Sequence, residues 1–113
     1  MTGYKRRDVV LIRFIFSDET GERQRPAVIV SSDAYHKSRQ EAIIAAITSR
    51  TDRILLGDHL IDNWEGAGLL FPSVATGIIR TIKQGMIARK LGIMPLPDMK
   101  RIEGNLRDAL ELK

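Results

Sequence analysis

The chain has 113 residues, 43% of them hydrophobic and 28% charged, and it contains no cysteine. That length suits a single domain with one core, the apolar share excludes a disordered chain, and the lack of cysteine excludes disulfides and thiolate metal sites. Eighteen lysines and arginines against fourteen acids leave a net charge of +4, an excess that suits a phosphate-bearing partner.

Lys5, Arg6 and Arg7 open the chain with positive charge, but Arg13 interrupts the apolar stretch that follows and no small-residue cleavage site succeeds it. A secretory signal is therefore not expected. The longest apolar run, Ala42 to Ile47, is too short to span a bilayer, so a cytoplasmic protein without a membrane partner is expected.

Val9 to Phe16 is dense in β-branched and aromatic residues and reads as a first strand. The polar stretch Ser17 to Gln24 reads as a loop. Pro26 to Val30 reads as a second strand, antiparallel to the first, with proline at its first position. Ser32-Asp33 suits the cap of a short helix over Ala34 to Gln40. Ala42 to Ile47 predicts a third strand, buried on both faces. Gly57 to Gly68 is loop-rich, with a brief apolar piece at Leu60-Ile61. Leu69 to Ala75 and Ile78 to Ile82 read as two strand pieces around Gly77, and Lys83 to Leu91 is ambiguous, reading as a helical turn and then a short strand. After Leu96-Pro97, Met99, Ile102, Leu106, Ala109 and Leu110 recur at helical spacing, with Asp98 near the positive end of the helix dipole. These elements predict a β-rich α+β fold of one domain over 1–113: a small, strongly bent β-barrel or half-barrel with a C-terminal helix.

His36 and His59 match no zinc spacing and read as surface loop residues; no metal and no cofactor are expected. Glycine-rich phosphate loops and Gly-x-Ser-x-Gly are also missing. RNA cleavage is a reaction that needs none of these, because the ribose 2′-OH lies beside the scissile phosphate and serves as the nucleophile. The enzyme must then align the backbone and stabilise charge growing on phosphoryl oxygens, a task suited to the planar fork of a guanidinium. Arg25 is the candidate, because Pro26 restricts its backbone and it stands where the polar loop re-enters the sheet. Thr48, at the end of the third strand, offers a hydroxyl to a phosphate oxygen. Each also has a structural reading: Arg25 as a solvated residue or a counter-charge to Glu19 and Glu22, and Thr48 as a turn cap.

The blocks Asp8-Val9-Val10-Leu11-Ile12, Arg25-Pro26-Ala27-Val28-Ile29-Val30-Ser31 and Ala45-Ala46-Ile47-Thr48-Ser49 resemble, in order and spacing, the MazF/PemK toxins of bacterial toxin–antitoxin pairs. Ala67-Gly68-Leu69-Leu70, Pro72-Ser73-Val74, Arg80-Thr81-Ile82 and Arg89-Lys90-Leu91-Gly92 continue the resemblance to the terminal helix. The resemblance implies an SH3-like barrel that dimerises, cleaves single-stranded mRNA without metal, leaves a 2′,3′-cyclic phosphate and a 5′-hydroxyl, and is silenced by a cognate antitoxin. It makes Arg25 the catalytic arginine and Thr48 its partner, with Arg23, Ser49, Arg50 and Arg80 as expected RNA contacts. An arginine titrates far above pH 7, so Arg25 is expected to stabilise charge rather than take a proton.

Two departures stand out. The family commonly opens its first strand with Arg-Gly-Asp, where this chain has Arg6-Arg7-Asp8. It often carries glutamine where this chain has Ile78, an aliphatic side chain that cannot hydrogen-bond a base, so base recognition is expected to differ. The same barrel also resembles CcdB, a toxin that poisons DNA gyrase, and a non-catalytic nucleic-acid binder is a third reading.

Overall fold

The computed structural model describes residues 3–15 and 22–113. In chain order it contains β1 (Asp8–Ile15), β2 (Glu22–Ile29), α1 (Asp33–Ser38), β3 (Glu41–Thr48), β4 (His59–Leu60), β5 (Val74–Lys83), a 3₁₀ turn at Gln84–Met86, β6 (Ile87–Ile93) and α2 (Leu96–Leu110). All strands pair antiparallel in one sheet of order β4-β5-β3-β2-β1-β6. β5 and β6 are separated in that order by three strands, yet only the 3₁₀ turn joins them, so the sheet must curl round to bring them close.

Alternating side chains place two apolar clusters on opposite faces of the curled sheet. Val9, Val28, Ala45 and Ile47 pack with Met94 and with Met99 and Ile102 of α2. Val10, Ile12, Ala27, Ile29, Ile44 and Ile82 form the second cluster with Ile87. The open side of the barrel-like sheet is crossed by backbone instead of a ladder: a Cβ on Gly68 would lie 2.1 Å from the Leu91 carbonyl oxygen, and one on Gly92 2.5 Å from that of Ala67. Gly68 also has φ +83°, so glycine meets both the spatial and the dihedral demand.

Several boundaries differ from the sequence expectations. β2 begins at Glu22, not Pro26, and the expected loop over 17–24 otherwise lies largely outside the described residues. Pro26 is tolerated inside β2 because β3 pairs only from Ala27 onward, leaving β2 partnered on one side at the proline. Leu69 to Ser73 is not strand, and the two pieces expected around Gly77 are one continuous strand, β5, with a bulge. Arg7 takes the left-handed φ of 80° at the position where the family commonly has glycine. Its N–H donates to the Ile29 carbonyl (2.9 Å) and its Nε to the Met94 carbonyl (3.0 Å), which hold the turn despite the side chain.

The histidines are not surface loop residues: both are buried by tertiary neighbours. His36 of α1 packs against Ser31, whose Oγ meets its Nε2. Burial lowers its pKa, and the charges of Asp33 and Asp8 oppose that effect only in part. His59 Nε2 donates to Asp98 Oδ1 at 2.7 Å, with the two residues 8% and 2% exposed. Asp98 also accepts the backbone N–H groups of Asp62 (2.8 Å) and Asn63 (3.1 Å), so it pins the segment after β4 to the start of α2. Burial favours the neutral acid, but the hydrogen bonds from His59, Asp62 and Asn63 outweigh it and hold the Asp98 carboxyl below its usual range.

A folded-state pKa below the unfolded one means that Asp98 stabilises the fold fully above the unfolded value of about 3.9, and that this contribution declines as pH falls towards the folded-state value. Asp98→Ala leaves three donors without their acceptor and is expected to cost about 3 kcal/mol at pH 7. Urea unfolding of both proteins at neutral and acid pH checks this, the difference between them narrowing below pH 4. A variant equal to the parent at pH 7 would remove this role from Asp98.

Candidate active site

The face of the sheet that carries the second apolar cluster does not stay apolar along its length. On β2, Ala27 and Ile29 face that cluster, and the same alternation brings Arg25 and Arg23 to the same side. They stand opposite Ile12 and Phe14 of β1. On β3 the face runs from Ile44 through Ala46 to Thr48, and on β5 from Ile82 through Arg80 to Ile78. Where the core ends, these residues line an open cavity of about 820 Å³ whose floor includes Ile12, Ala27 and Ile44.

Arg23, Arg25, Thr48, Arg50 and Arg80 of the sequence-derived candidates line this cavity. Ser49, just past the end of β3, is not among the residues that line it. Arg25 lies within β2, not at its mouth, and is exposed. Thr48 Oγ1 accepts the N–H of Arg50 at 3.2 Å and so caps the turn leaving β3, a bond that leaves its own proton to be donated elsewhere. The Arg80 guanidinium sits 5.0 Å from the centroid of the Phe14 ring, a cation–π geometry that fixes it over the cavity wall. Arg50 pairs with Asp52 at 3.2 Å; their hydrogen bond raises the guanidinium pKa and lowers that of the carboxyl. Both ends are exposed, so the pair directs side chains more than it stabilises the fold.

Further lining residues carry no local sequence signal for the site: Asp52, Arg53, Leu55, Leu56, Asp58 and Thr76. The bulge in β5 explains several of them. Between the pairs Ala45–Ile79 and Ile47–Ala75, Ala46 alone faces Thr76, Gly77 and Ile78. Thr76 Oγ1 donates to the Ala46 carbonyl (2.7 Å) and accepts from Ile78 N–H (3.2 Å), while Gly77 N–H donates to Asp58 Oδ1 (2.8 Å). Side chains thus satisfy the backbone groups that the interrupted ladder leaves unpaired, and the bulge aims Ile78 at the cavity.

Residues 5–110 match the family model described as the PemK-like, MazF-like toxin of type II toxin–antitoxin systems. The chain belongs to this family. Among solved structures of similar fold is MazE–MazF from Deinococcus radiodurans, with a TM-score of 0.82 at 18% identity over 99% of this chain and 100% of that one. An endoribonuclease in complex with its cognate antitoxin, from a mycobacterial species, superposes with a TM-score of 0.77 at 21% identity, covering 98% of each chain. The Mycobacterium tuberculosis toxin MazF-mt6 gives 0.76 at 21% identity, over 95% of this chain and 99% of that one. At such identities the likeness is one of fold: the barrel-like antiparallel sheet with a C-terminal helix is the MazF fold. The comparison with curated proteins finds no match. Within the PemK/MazF frame, both departures noted in the sequence have structural counterparts: Arg7 holds the left-handed turn, and Ile78, where glutamine is common, stands exposed on the cavity wall.

Proposed function

We propose that this PemK/MazF-family toxin is a metal-independent endoribonuclease that cuts single-stranded mRNA in a sequence-selective manner. The observation that carries this reading is the convergence of Arg25 and Thr48, from different strands, on one cavity also lined by Arg23, Arg50 and Arg80. The 2′-hydroxyl gives up its proton as its oxygen bonds to the adjacent phosphorus, the bond from phosphorus to the 5′-oxygen of the next nucleotide breaks, and that oxygen takes up a proton, so the products are a 2′,3′-cyclic phosphate and a 5′-hydroxyl. Arg25 stabilises the charge that grows on the non-bridging oxygens, and the Thr48 hydroxyl donates a hydrogen bond to one of them. The remaining arginines hold flanking phosphates, and Ser49, outside the cavity, is left with at most a contact along the RNA beyond it.

The same reading includes a homodimer and a cognate antitoxin whose acidic or amphipathic segment covers the Arg25 cavity. Support comes from the family match and from the antitoxin complexes among the proteins of similar fold. Incubating purified protein with a long RNA in EDTA, followed by mapping of the ends, tests the chemistry. Cleavage with cyclic phosphate ends is expected in the chelator. Activity lost with EDTA and restored by Mg²⁺ would overturn the mechanism, and intact RNA under every condition would favour a binder or a gyrase poison.

A further inference from the structure

Three large apolar side chains at the rim of the cavity are left in solvent. Leu55 is 54% exposed, Leu56 86% and Ile78 62%, and all three line the same space as the arginines. They come from two separate segments locked together. Gly57 and Gly77 meet backbone to backbone, so closely that a Cβ on Gly77 would lie 3.2 Å from the Gly57 Cα, and Gly57 takes φ +93°. The next residue, Asp58, uses one carboxylate oxygen to accept Leu55 N–H (2.9 Å) and the other to accept Gly77 N–H (2.8 Å). Asn105 of α2 donates to the Asp58 carbonyl (3.0 Å), tying the clamp to the helix. Leu56 and Ile78 are therefore neighbours across a rigid junction instead of the tips of two wandering loops.

We propose that Leu55, Leu56 and Ile78 form a preformed apolar platform for one unpaired base of the RNA, held in place by Asp58 as a positioning residue. The proposal rests on the endoribonuclease reading above and deepens it. Charge complementarity selects the occupant: five arginines line the cavity beside the platform, against Asp52 and Asp58 among the described lining residues, and these two are already engaged with Arg50 and with backbone N–H groups. A polyanion with flat apolar faces meets both halves of that surface, its phosphates on the guanidinium groups and its base on the aliphatic wall. Aliphatic groups read no hydrogen-bonding edge, so the nucleotide on the platform is bound with little discrimination among the four bases.

Three variants test this against the wild type, by cleavage of a random-sequence single-stranded library, by kinetics on an octanucleotide and a dinucleotide, and by fluorescence binding. Leu56→Ser alters a side chain already in solvent, and Asp58→Asn removes one of two acceptors; each is expected to lower the preference for the octanucleotide over the dinucleotide about tenfold, chiefly through KM. Ile78→Gln is expected to impose a base preference at one nucleotide that the wild type accepts indifferently. Thermal melts accompany each variant, so that misfolding of Asp58→Asn leaves Leu56→Ser and Ile78→Gln to decide. An unchanged octanucleotide preference in Leu56→Ser together with an unchanged base profile in Ile78→Gln would overturn the platform. So would a change of oligomeric state in Leu56→Ser with RNA binding intact, which would assign the patch to a second copy of the chain. If the wild type binds RNA through Leu56 without cutting it, the endoribonuclease reading fails and the platform survives; loss of both binding and cutting removes both.

Discussion

Arg25→Ala is expected to lower cleavage of single-stranded RNA by roughly 10²–10³, the scale of deleting one preorganised donor to a developing oxyanion. The side chain is exposed on β2, on the same face as the second apolar cluster but beyond its edge, so its removal opens no core cavity. Stability should therefore change by no more than about 0.5 kcal/mol. Arg25→Lys keeps the charge but loses the bidentate fork, and a substantial defect is expected there as well. Single-turnover cleavage with saturating protein separates this loss from weakened binding, since a contact made to transition-state charge lowers the rate of the chemical step itself. A folded Arg25→Ala protein with wild-type rate would return Arg25 to a solvated strand residue and leave the cavity without its principal electrostatic group.

How much of this was legible in the sequence depends on how local the cause is. The density of β-branched and aromatic residues over Val9 to Phe16 and the helical spacing of Met99, Ile102 and Leu106 are each contained in a short window, and among the described residues β1 and α2 follow them closely. Glu22 to Arg25 has no strand pattern of its own; it is extended because it pairs with Ile12 to Ile15 of β1. β5 continues through Gly77 because Asp58, nineteen positions earlier, accepts its N–H. His59 is buried because Asp98, thirty-nine positions away, accepts a hydrogen bond from its Nε2. In each case a partner distant in sequence supplies what the local pattern lacks.

The site divides in the same way. Arg25, Thr48, Arg23, Arg50 and Arg80 were reachable from residue chemistry and the family blocks; strand alternation brings Arg23, Arg25, Thr48 and Arg80 to one cavity, and Arg50 reaches it from the turn just past β3. Ser49 was named with its neighbour Thr48, but it lies just past the end of β3 and outside the cavity. Leu55 and Leu56 fall between the elements read from the sequence and Asp58 in the loop-rich stretch from Gly57 to Gly68, and their place in the site comes from the glycine contact and the carboxylate clamp, neither of which has a sequence period.

The second large effect concerns the substrate. In-line attack by a 2′-oxygen needs that oxygen and a sugar–phosphate backbone free of A-form geometry, so paired RNA should remain intact where unpaired RNA is cut. Binding is expected to weaken as salt rises, because arginines displace counterions from phosphates. The decisive measurement uses a single-stranded oligonucleotide cut by the protein at one mapped bond, and the same oligonucleotide with a single deoxyribose on the 5′ side of that bond. The chimera is expected to bind with an affinity close to that of the all-ribose strand and to resist cutting at that bond, with no cyclic phosphate formed there. Cutting of the chimera at the same bond would exclude the 2′-oxygen as nucleophile and contradict the mechanism assigned to the Arg25–Thr48 cavity.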